Sequence, residues 1–542
     1  AATDLASFAR ALDGSFLIFV YEPETPRLVI INDRFAAFAF YYRVVDGALW
    51  GALSFKQLFD ELAAAGRARV APEAVFEFLS LRRLFGCHTY ERDTRFLDSA
   101  SILSFRPGEC EPGVEKYWRP GFERAPQPAK SLAGELAEAL AAAVAAHMSD
   151  GAPTALMLSG GLDSRAILAA AAYSAEAAAS AAKAGPAPPV CVTTCLSRNN
   201  EYEVAQEVAA AAGAEHVFIE RPRRLYDDVV DDAVFLTGGQ QVYNECQFLG
   251  YGPRIAPRAE VVFLGLGLDV FFGGLYLPKA PARWLGRPAL HYRLKPLGPD
   301  LARDFMTGVS YRLKTSDPFS VVRDDWRRRL EEAVRASLEA VIEQGRALGA
   351  AGYDMWEYLH LHNFSRHYSF PMAASIRSFA DCRLPALSNR VFDLAFRLGA
   401  RHKVNGEVYR RALNLLNPAV MAVRNANTNM PARQSLFVQS VLKAARFAGS
   451  RLVGTGFRPS PSYWDRSWPL PADAIADNPK VKAMVEALPG SERLASLGFL
   501  DPDKLRAVLD AHDRGAHDHG VLLNLLLTLD RFLCEPEPGT LS

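Results

Sequence analysis

The chain has no surplus of charge. Its 61 Lys and Arg balance 61 Asp and Glu over 542 residues, so the formal net charge is zero. That excludes a strong whole-molecule attraction to nucleic acid or to an anionic membrane. One local basic run, Arg221-Pro222-Arg223-Arg224, reads as a solvated loop. Cysteine is scarce as well. Seven are scattered along the chain, which argues against a disulfide framework and for a reducing, cytoplasmic setting. Cys191 and Cys195 have no second Cys/His pair nearby to complete a zinc site, and read as core thiols. No apolar run approaches the roughly 20 residues of a membrane span. The longest, Val521 to Leu529, is broken by Asn524 and Thr528. No secretory signal opens the sequence, and a start at Ala1 in place of Met is consistent with trimming. Internal repeats are also missing.

What is present is enough apolar material, 49% of residues, for more than one core. Residues 1–118 read as a first domain, β-rich with short helices. Ser15 to Tyr21 and Arg27 to Ile31 are strand-like, and Phe38 to Val45 with Ala48 to Trp50 reads as a hairpin turning at Asp46-Gly47. Prolines between 107 and 129 mark a linker, with the domain junction at 119–130. From 131 the pattern alternates. Strands are predicted at 155–158, 190–196, 215–219 and 260–265, and helices at 130–148, 165–182, 201–212 and 225–236. Such alternation predicts an α/β fold with a doubly wound parallel sheet, whose ligands bind beyond the carboxyl ends of its strands. Residues 278–300 read as an irregular excursion. The remainder is mostly helical, divided into a second domain over 131–445 and a helical C-terminal extension over 446–542. His360 and His367, one heptad apart, share a predicted helix face, where a structural role is expected.

One motif carries chemistry. Ser159-Gly160-Gly161-Leu162-Asp163-Ser164 follows the apolar run Ala155 to Leu158 and precedes an Ala-rich helix. A strand, a Gly-rich turn and a helix start aim unpaired backbone N–H groups and a helix dipole at one point, where an anion binds. The two serines add donors. Asp163 would repel a phosphate unless a cation lay between them, so Mg²⁺ is implied. No Lys follows the glycines, which separates this turn from the Walker loop.

The six residues resemble the pyrophosphate motif of the N-type ATP pyrophosphatases, and the order of features around them resembles the asparagine synthetase family. Leu12-Asp13-Gly14-Ser15-Phe16, Asn32-Asp33-Arg34-Phe35, Tyr41-Tyr42 and Tyr117-Trp118 are similar to the later part of the family's N-terminal domain. Asn200-Glu201-Tyr202 is similar to the acidic residue before its second helix. Gly265-Leu266-Gly267-Leu268-Asp269-Val270-Phe271-Phe272-Gly273-Gly274 resembles its Gly-Glu-Gly-x-Asp-Glu-x-Phe-Gly-Gly loop, and Asp381-Cys382-Arg383-Leu384-Pro385 its Glu-x-Arg-x-Pro segment. Arg165 and the segment Val404 to Ala412 are similar to a divergent branch that includes lasso-peptide cyclases and β-lactam synthetases.

The resemblance implies an N-terminal Ntn-hydrolase-like (αββα) remnant, then an ATP-pyrophosphatase domain of the HUP-like, adenine nucleotide alpha hydrolase type, with a helical C-terminal part. It implies ATP and Mg²⁺ as cofactors, a small-molecule or peptide carboxylate as substrate, and an amide as product. Nucleotide contacts are expected from Ser159, Gly160, Gly161, Asp163, Ser164, Arg165, Gly265 and Gly267, and metal ligands from Asp163 and Asp269. Asp381 is expected to act as base, Arg383 to orient it, and Lys403 to stand in for the family's lysine, which aligns with Glu407.

Two departures matter. Ala1 stands where a glutaminase has Cys, and Cys87 and Cys110 lie too far inside to replace a chain-terminal thiol, so glutaminase activity is not expected. Leu266 and Val270 replace polar family residues. The leading expectation is therefore an ATP-dependent ligase that takes its amine directly. The alternative is a catalytically impaired nucleotide-binding or structural homologue within a larger assembly. A homo-oligomer or a partner protein is open in either case.

Overall fold

The computed structural model describes residues 4–122, 127–180, 187–284, 287–308, 316–452 and 466–534. At its centre five short strands form one parallel sheet. Its order from edge to edge is His216–Glu220, Val190–Cys195, Thr154–Met157, Val261–Phe263 and Asp381–Arg383. Every adjacent pair is parallel. Both faces are covered by helices, which is why the central strands are apolar on both sides instead of alternating; Ala155, Leu156 and Val262 are fully buried. The chain builds outward from Thr154–Met157 for two strands, then returns and builds the other way from Val261–Phe263. Between those two strands the loops at the carboxyl ends diverge and leave a crevice.

The helices expected at 130–148, 165–182, 201–212 and 225–236 span Ala129–His147, Asp163–Ser180, Asn200–Ala211 and Leu225–Thr237. Asn199 caps the third by accepting from the N–H groups of Glu201 and Tyr202.

Before this sheet lie two packed antiparallel sheets. Strands Leu17–Glu22, Arg27–Asn32, Ser101–Phe105 and Gly113–Lys116 make the first. Its Val29, Ile31 and Ile102 face helix Leu5–Ala11, while Ile30, Leu103 and Phe105 face Phe40, Leu49 and Leu97 of the second sheet. The hairpin pairs Val45 with Ala48, and Asp46 and Gly47 both adopt positive φ, 51° and 76°, as a two-residue turn requires. Helix Phe55–Ala64 covers the outer side, with Phe55 against Tyr41.

Three expectations are corrected. Gly113–Lys116, placed in the proline-marked linker, is an edge strand paired with Ser101–Phe105; its polar sequence hid it. The excursion at 278–300 contains an antiparallel hairpin, Lys279–Trp284 with Arg287–Leu294. Arg221 is no solvated loop residue: it is buried, donates to the Gln247 carbonyl and the Tyr226 hydroxyl, and lies 4.9 Å from the Trp468 ring centre.

Residues 466–534, within the segment expected as an extension, are built into the main core. Helix Gly520–Phe532 is buried along most of its length. The Phe532 ring stacks on Phe55 at 5.4 Å and touches Phe59 at 4.7 Å, joining the last helix to the N-terminal sheets. Phe532→Ala should cost about 3–5 kcal/mol by urea denaturation, the usual loss for emptying a buried aromatic site.

Candidate active site

The Ser159–Ser164 turn opens at the carboxyl end of strand Thr154–Met157, on the crevice side. Ser159 N–H donates to Ser164 Oγ at 2.9 Å, Gly161 N–H donates to Ser159 Oγ at 3.2 Å, and the two hydroxyls pair at 3.1 Å. The turn is therefore pre-shaped by its own serines. Gly160 is required sterically. A Cβ there would come within 2.4 Å of the Ala426 Cβ, because the segment after helix Pro418–Ala422 lies across the turn. Ala426 N–H donates to the Gly160 carbonyl at 3.1 Å, and Asn200 Nδ2 donates to the Ala426 carbonyl at 2.9 Å.

Loop Leu264–Gly274 leaves the neighbouring strand and meets the start of helix Asp163–Ser180. A Cβ on Gly265 would sit 2.4 Å from the Asp163 carbonyl carbon, so only glycine permits this approach. Gly267 holds φ at 100°. These constraints bring Asp269 to Asp163: the Asp269 N–H donates to Asp163 Oδ2 at 3.1 Å, and the carboxyl groups interact directly. Tyr409, buried on helix Glu407–Leu416, donates its hydroxyl to Asp163 Oδ1 at 3.1 Å.

Burial raises the pKa of both carboxyl groups, and the negative charge of Asp269 pushes Asp163 well above the ordinary range. Two acids sharing a desolvated place cannot both ionise without a counter-charge. A divalent cation would supply it. Among the described residues no cluster of three or more His, Cys, Asp and Glu is arranged to hold a metal alone. A carboxylate pair with phosphate oxygens and water completing the shell suits Mg²⁺, so the residues fit that ion.

The other expected site residues are placed differently. Arg165 does not face the crevice: its guanidinium donates to the carbonyls of Val420 at 3.2 Å, Val423 at 2.9 Å and Arg424 at 2.8 Å. Burial pulls its pKa down to about 10. It anchors the segment that crosses Gly160. Asp381 lies level with Thr154, at the amino end of the sheet, five residues or roughly 16 Å below Ser159 by strand rise. It is exposed and accepts from Arg383 Nε at 2.8 Å, while Arg383 also binds Asp150 and the His147 carbonyl. The structure does not bring this pair to the crevice.

Lys403 is buried, and its amine forms an ion pair with Glu357 at 3.0 Å. Its backbone lies against Gly274, where a Cβ would come 2.8 Å from the Lys403 carbonyl oxygen. Glu357, Val270 and Gly274 line one small cavity. Glu407, the residue aligned with the family's lysine, faces solvent and pairs with Arg411. Sequence reasoning missed Glu357, Tyr409 and Lys279. Lys279 starts the hairpin, donates to the Gly274 carbonyl at 2.6 Å and feels the Asp269 charge; burial lowers its pKa. His360 and His367 do not share a helix, since it ends at Leu361. Both rings pack on Tyr276 and are held neutral by burial.

Comparison with known proteins agrees with this arrangement. No curated protein matches the chain. The family model described as asparagine synthase matches residues 135–533, beginning in the helix before the pyrophosphate turn and running through the last buried helix. That span is well over half of the sequence and contains the turn, the Gly-rich loop and the Asp pair; the chain belongs to the asparagine synthase family, one of ATP-dependent carbon–nitrogen ligases.

Proposed function

We propose that the protein is an amide-forming ligase that adenylates a carboxylate with ATP, releases pyrophosphate and passes the acyl group to an amine, with no glutaminase activity of its own. The observation that carries this reading is the convergence of the Ser159–Ser164 turn, Asp163 and Asp269 where the strand order reverses. The turn's N–H groups and serine hydroxyls would take the β,γ-phosphates, exchanging hydrogen bonds among themselves for stronger ones to an anion. Mg²⁺ bound by Asp163 and Asp269 would neutralise the charge that develops as pyrophosphate departs. Tyr409 would fix the orientation of Asp163, and its raised pKa keeps its hydroxyl a donor. Lys279 would add positive charge beside Asp269.

The substrate carboxylate attacks the α-phosphorus, giving acyl-adenylate and pyrophosphate. The amine then attacks the acyl carbon, loses a proton and displaces AMP. The Lys403–Glu357 pair, beneath the Gly-rich loop, is the group best placed to handle that proton. Asp381 and Arg383 have no part in this scheme. Lys403→Met should leave ATP–pyrophosphate exchange within about threefold while amide formation falls about 100-fold. It should also cost about 3–5 kcal/mol in stability, because the buried Glu357 carboxylate loses the ammonium that balances its charge.

The two packed sheets of residues 4–118, with helices outside them, support an Ntn-hydrolase-like remnant. Burial pushes the Cys87 thiol up to about 12, which makes it a poor nucleophile. A second reading, an impaired nucleotide-binding homologue, is favoured by the solvent-facing Glu407 and the apolar Leu266 and Val270.

Incubation with ATP, Mg²⁺, a panel of carboxylic acids and hydroxylamine separates the two. Hydroxamate with equimolar AMP and pyrophosphate is expected. ADP and phosphate, or equal background in wild type and Asp163→Ala, would favour the second reading.

A further inference from the structure

A cavity of about 160 Å³ lies between the N-terminal sheets and the synthetase core, separate from the site above. None of its lining residues belongs to the pyrophosphate turn or the Gly-rich loop. Its walls are mostly apolar and aromatic, with Tyr41, Phe55, Phe96 and Phe370 among them. Among the described residues Arg366 and Arg377 are its only charged lining residues, and no acid among them faces the pair from the walls.

Arg366 is fully engaged, donating to the carbonyls of Gly86 and His88 and to Gln240 Oε1. Arg377 is not. Its Nη1 donates to the Ala37 carbonyl, but its Nε and Nη2 are buried without a hydrogen-bond partner. Those two atoms form one edge of the guanidinium, the edge that grips a carboxylate through two parallel hydrogen bonds. The faces of the group are used otherwise: its carbon lies 4.3 Å from the Phe38 ring centre and 5.6 Å from that of Phe370. Stacking of this kind fixes the plane and leaves the edge open. Burial lowers the Arg377 pKa, so nearby charge does not compensate its desolvation. Asp33 attracts it, yet the Asp33 oxygens accept from the N–H groups of Phe16, Phe35 and Ala37.

Two more buried donors line the same cavity without partners, Gln240 Nε2 and Ser365 Oγ. The Gln240 amide is oriented by Arg366, which holds its oxygen and leaves its NH₂ turned the other way. A buried donor without an acceptor is costly, and three residues sharing this state around one void is unusual.

We infer that this cavity is a binding site for a carboxylate with an apolar body, its head held by Arg377, Gln240 and Ser365 and its body lying on the aromatic walls toward Leu53. The ligand is either a free small acid or the carboxyl terminus of a peptide.

The test is calorimetric titration of the full chain with 3-phenylpropionate and with 3-phenylpropionamide. The acid should bind at least about tenfold more tightly, and Arg377→Met should erase that difference. Arg377→Met also removes the bond to Ala37, so Leu53→Glu, at a position 58% exposed on the cavity wall, gives an independent variant. Its negative charge should weaken the acid about fivefold and leave the amide unchanged. Acetyl-Ala-Phe with free and amidated carboxyl termini distinguishes the sources; tighter binding of the free acid than of phenylpropionate assigns a peptide terminus, and the reverse assigns a free acid. Equal binding of acid and amide, no effect of either variant, or a crystal grown with phenylpropionate that holds only water here would overturn the assignment.

Discussion

Asp163→Asn should lower ATP-dependent pyrophosphate release by about 1000-fold while leaving the protein folded and at least as heat-stable as wild type in metal-free buffer. The two halves of this result come from one geometry. Asp163 and Asp269 adjoin; burial raises both pKa values, and the Asp269 charge pushes that of Asp163 up further. A neutral amide keeps the shape: its one oxygen can accept from the Asp269 N–H, and its NH₂ can donate to the Tyr409 hydroxyl, which turns to accept. It removes the desolvated, repelled charge that raises the Asp163 pKa, so stability should rise or hold as function is lost. A structural role for Asp163 would give the opposite pattern, with stability and activity falling together. Pyrophosphate release and thermal unfolding, measured on the same preparation, decide between them.

Gly265→Ala should weaken nucleotide binding about 100-fold, with no change in charge or in any donor. The added Cβ would lie 2.4, 2.6 and 2.7 Å from the Asp163 carbonyl carbon, the Asp163 oxygen and the Ser164 nitrogen. All three are backbone atoms, so no rotamer change relieves the contact. The loop carrying Asp269 must move away from the helix start carrying Asp163, and the Asp pair opens. Gly134→Ala is the matching control. It lies in helix Ala129–His147 with open space where its Cβ would go, and should stabilise by about 0.5–1 kcal/mol with binding unchanged. Equilibrium titration with ATP and Mg²⁺ checks both.

Four of the five central strands were legible as short, largely apolar runs, and the pyrophosphate turn because it needs residue types that few other turns need; the fifth strand, Asp381–Arg383, is charged at both ends and was not. What escaped was whatever depends on contacts between distant segments. Gly113–Lys116 is a polar edge strand with little hydrophobic signal. The hairpin that starts at Lys279 is broken by prolines at 281 and 288, which in sequence suggest irregular chain. Tyr409 reaches Asp163, Lys279 binds the far end of the Gly-rich loop and Glu357 lies beside that loop, from three elements that share no local pattern with the turn.

Arg165 and Asp381 failed for a different reason. Position along the chain set them beside the motif and in a family segment, but orientation decides what a side chain does. Arg165 leaves its helix on the side of Val420 to Arg424. Asp381 enters its strand at the end of the sheet away from the crevice. Glu407 illustrates the same rule, because two residues, a little over half a helical turn, separate its solvent-facing carboxylate from buried Tyr409.

The most direct test is titration with α,β-methylene-ATP, which cannot be split, in Mg²⁺ and in EDTA. Binding should require Mg²⁺, be displaced by pyrophosphate and be lost in Asp163→Asn. Binding indifferent to the metal and to that substitution, or none at millimolar nucleotide, would contradict the proposed function.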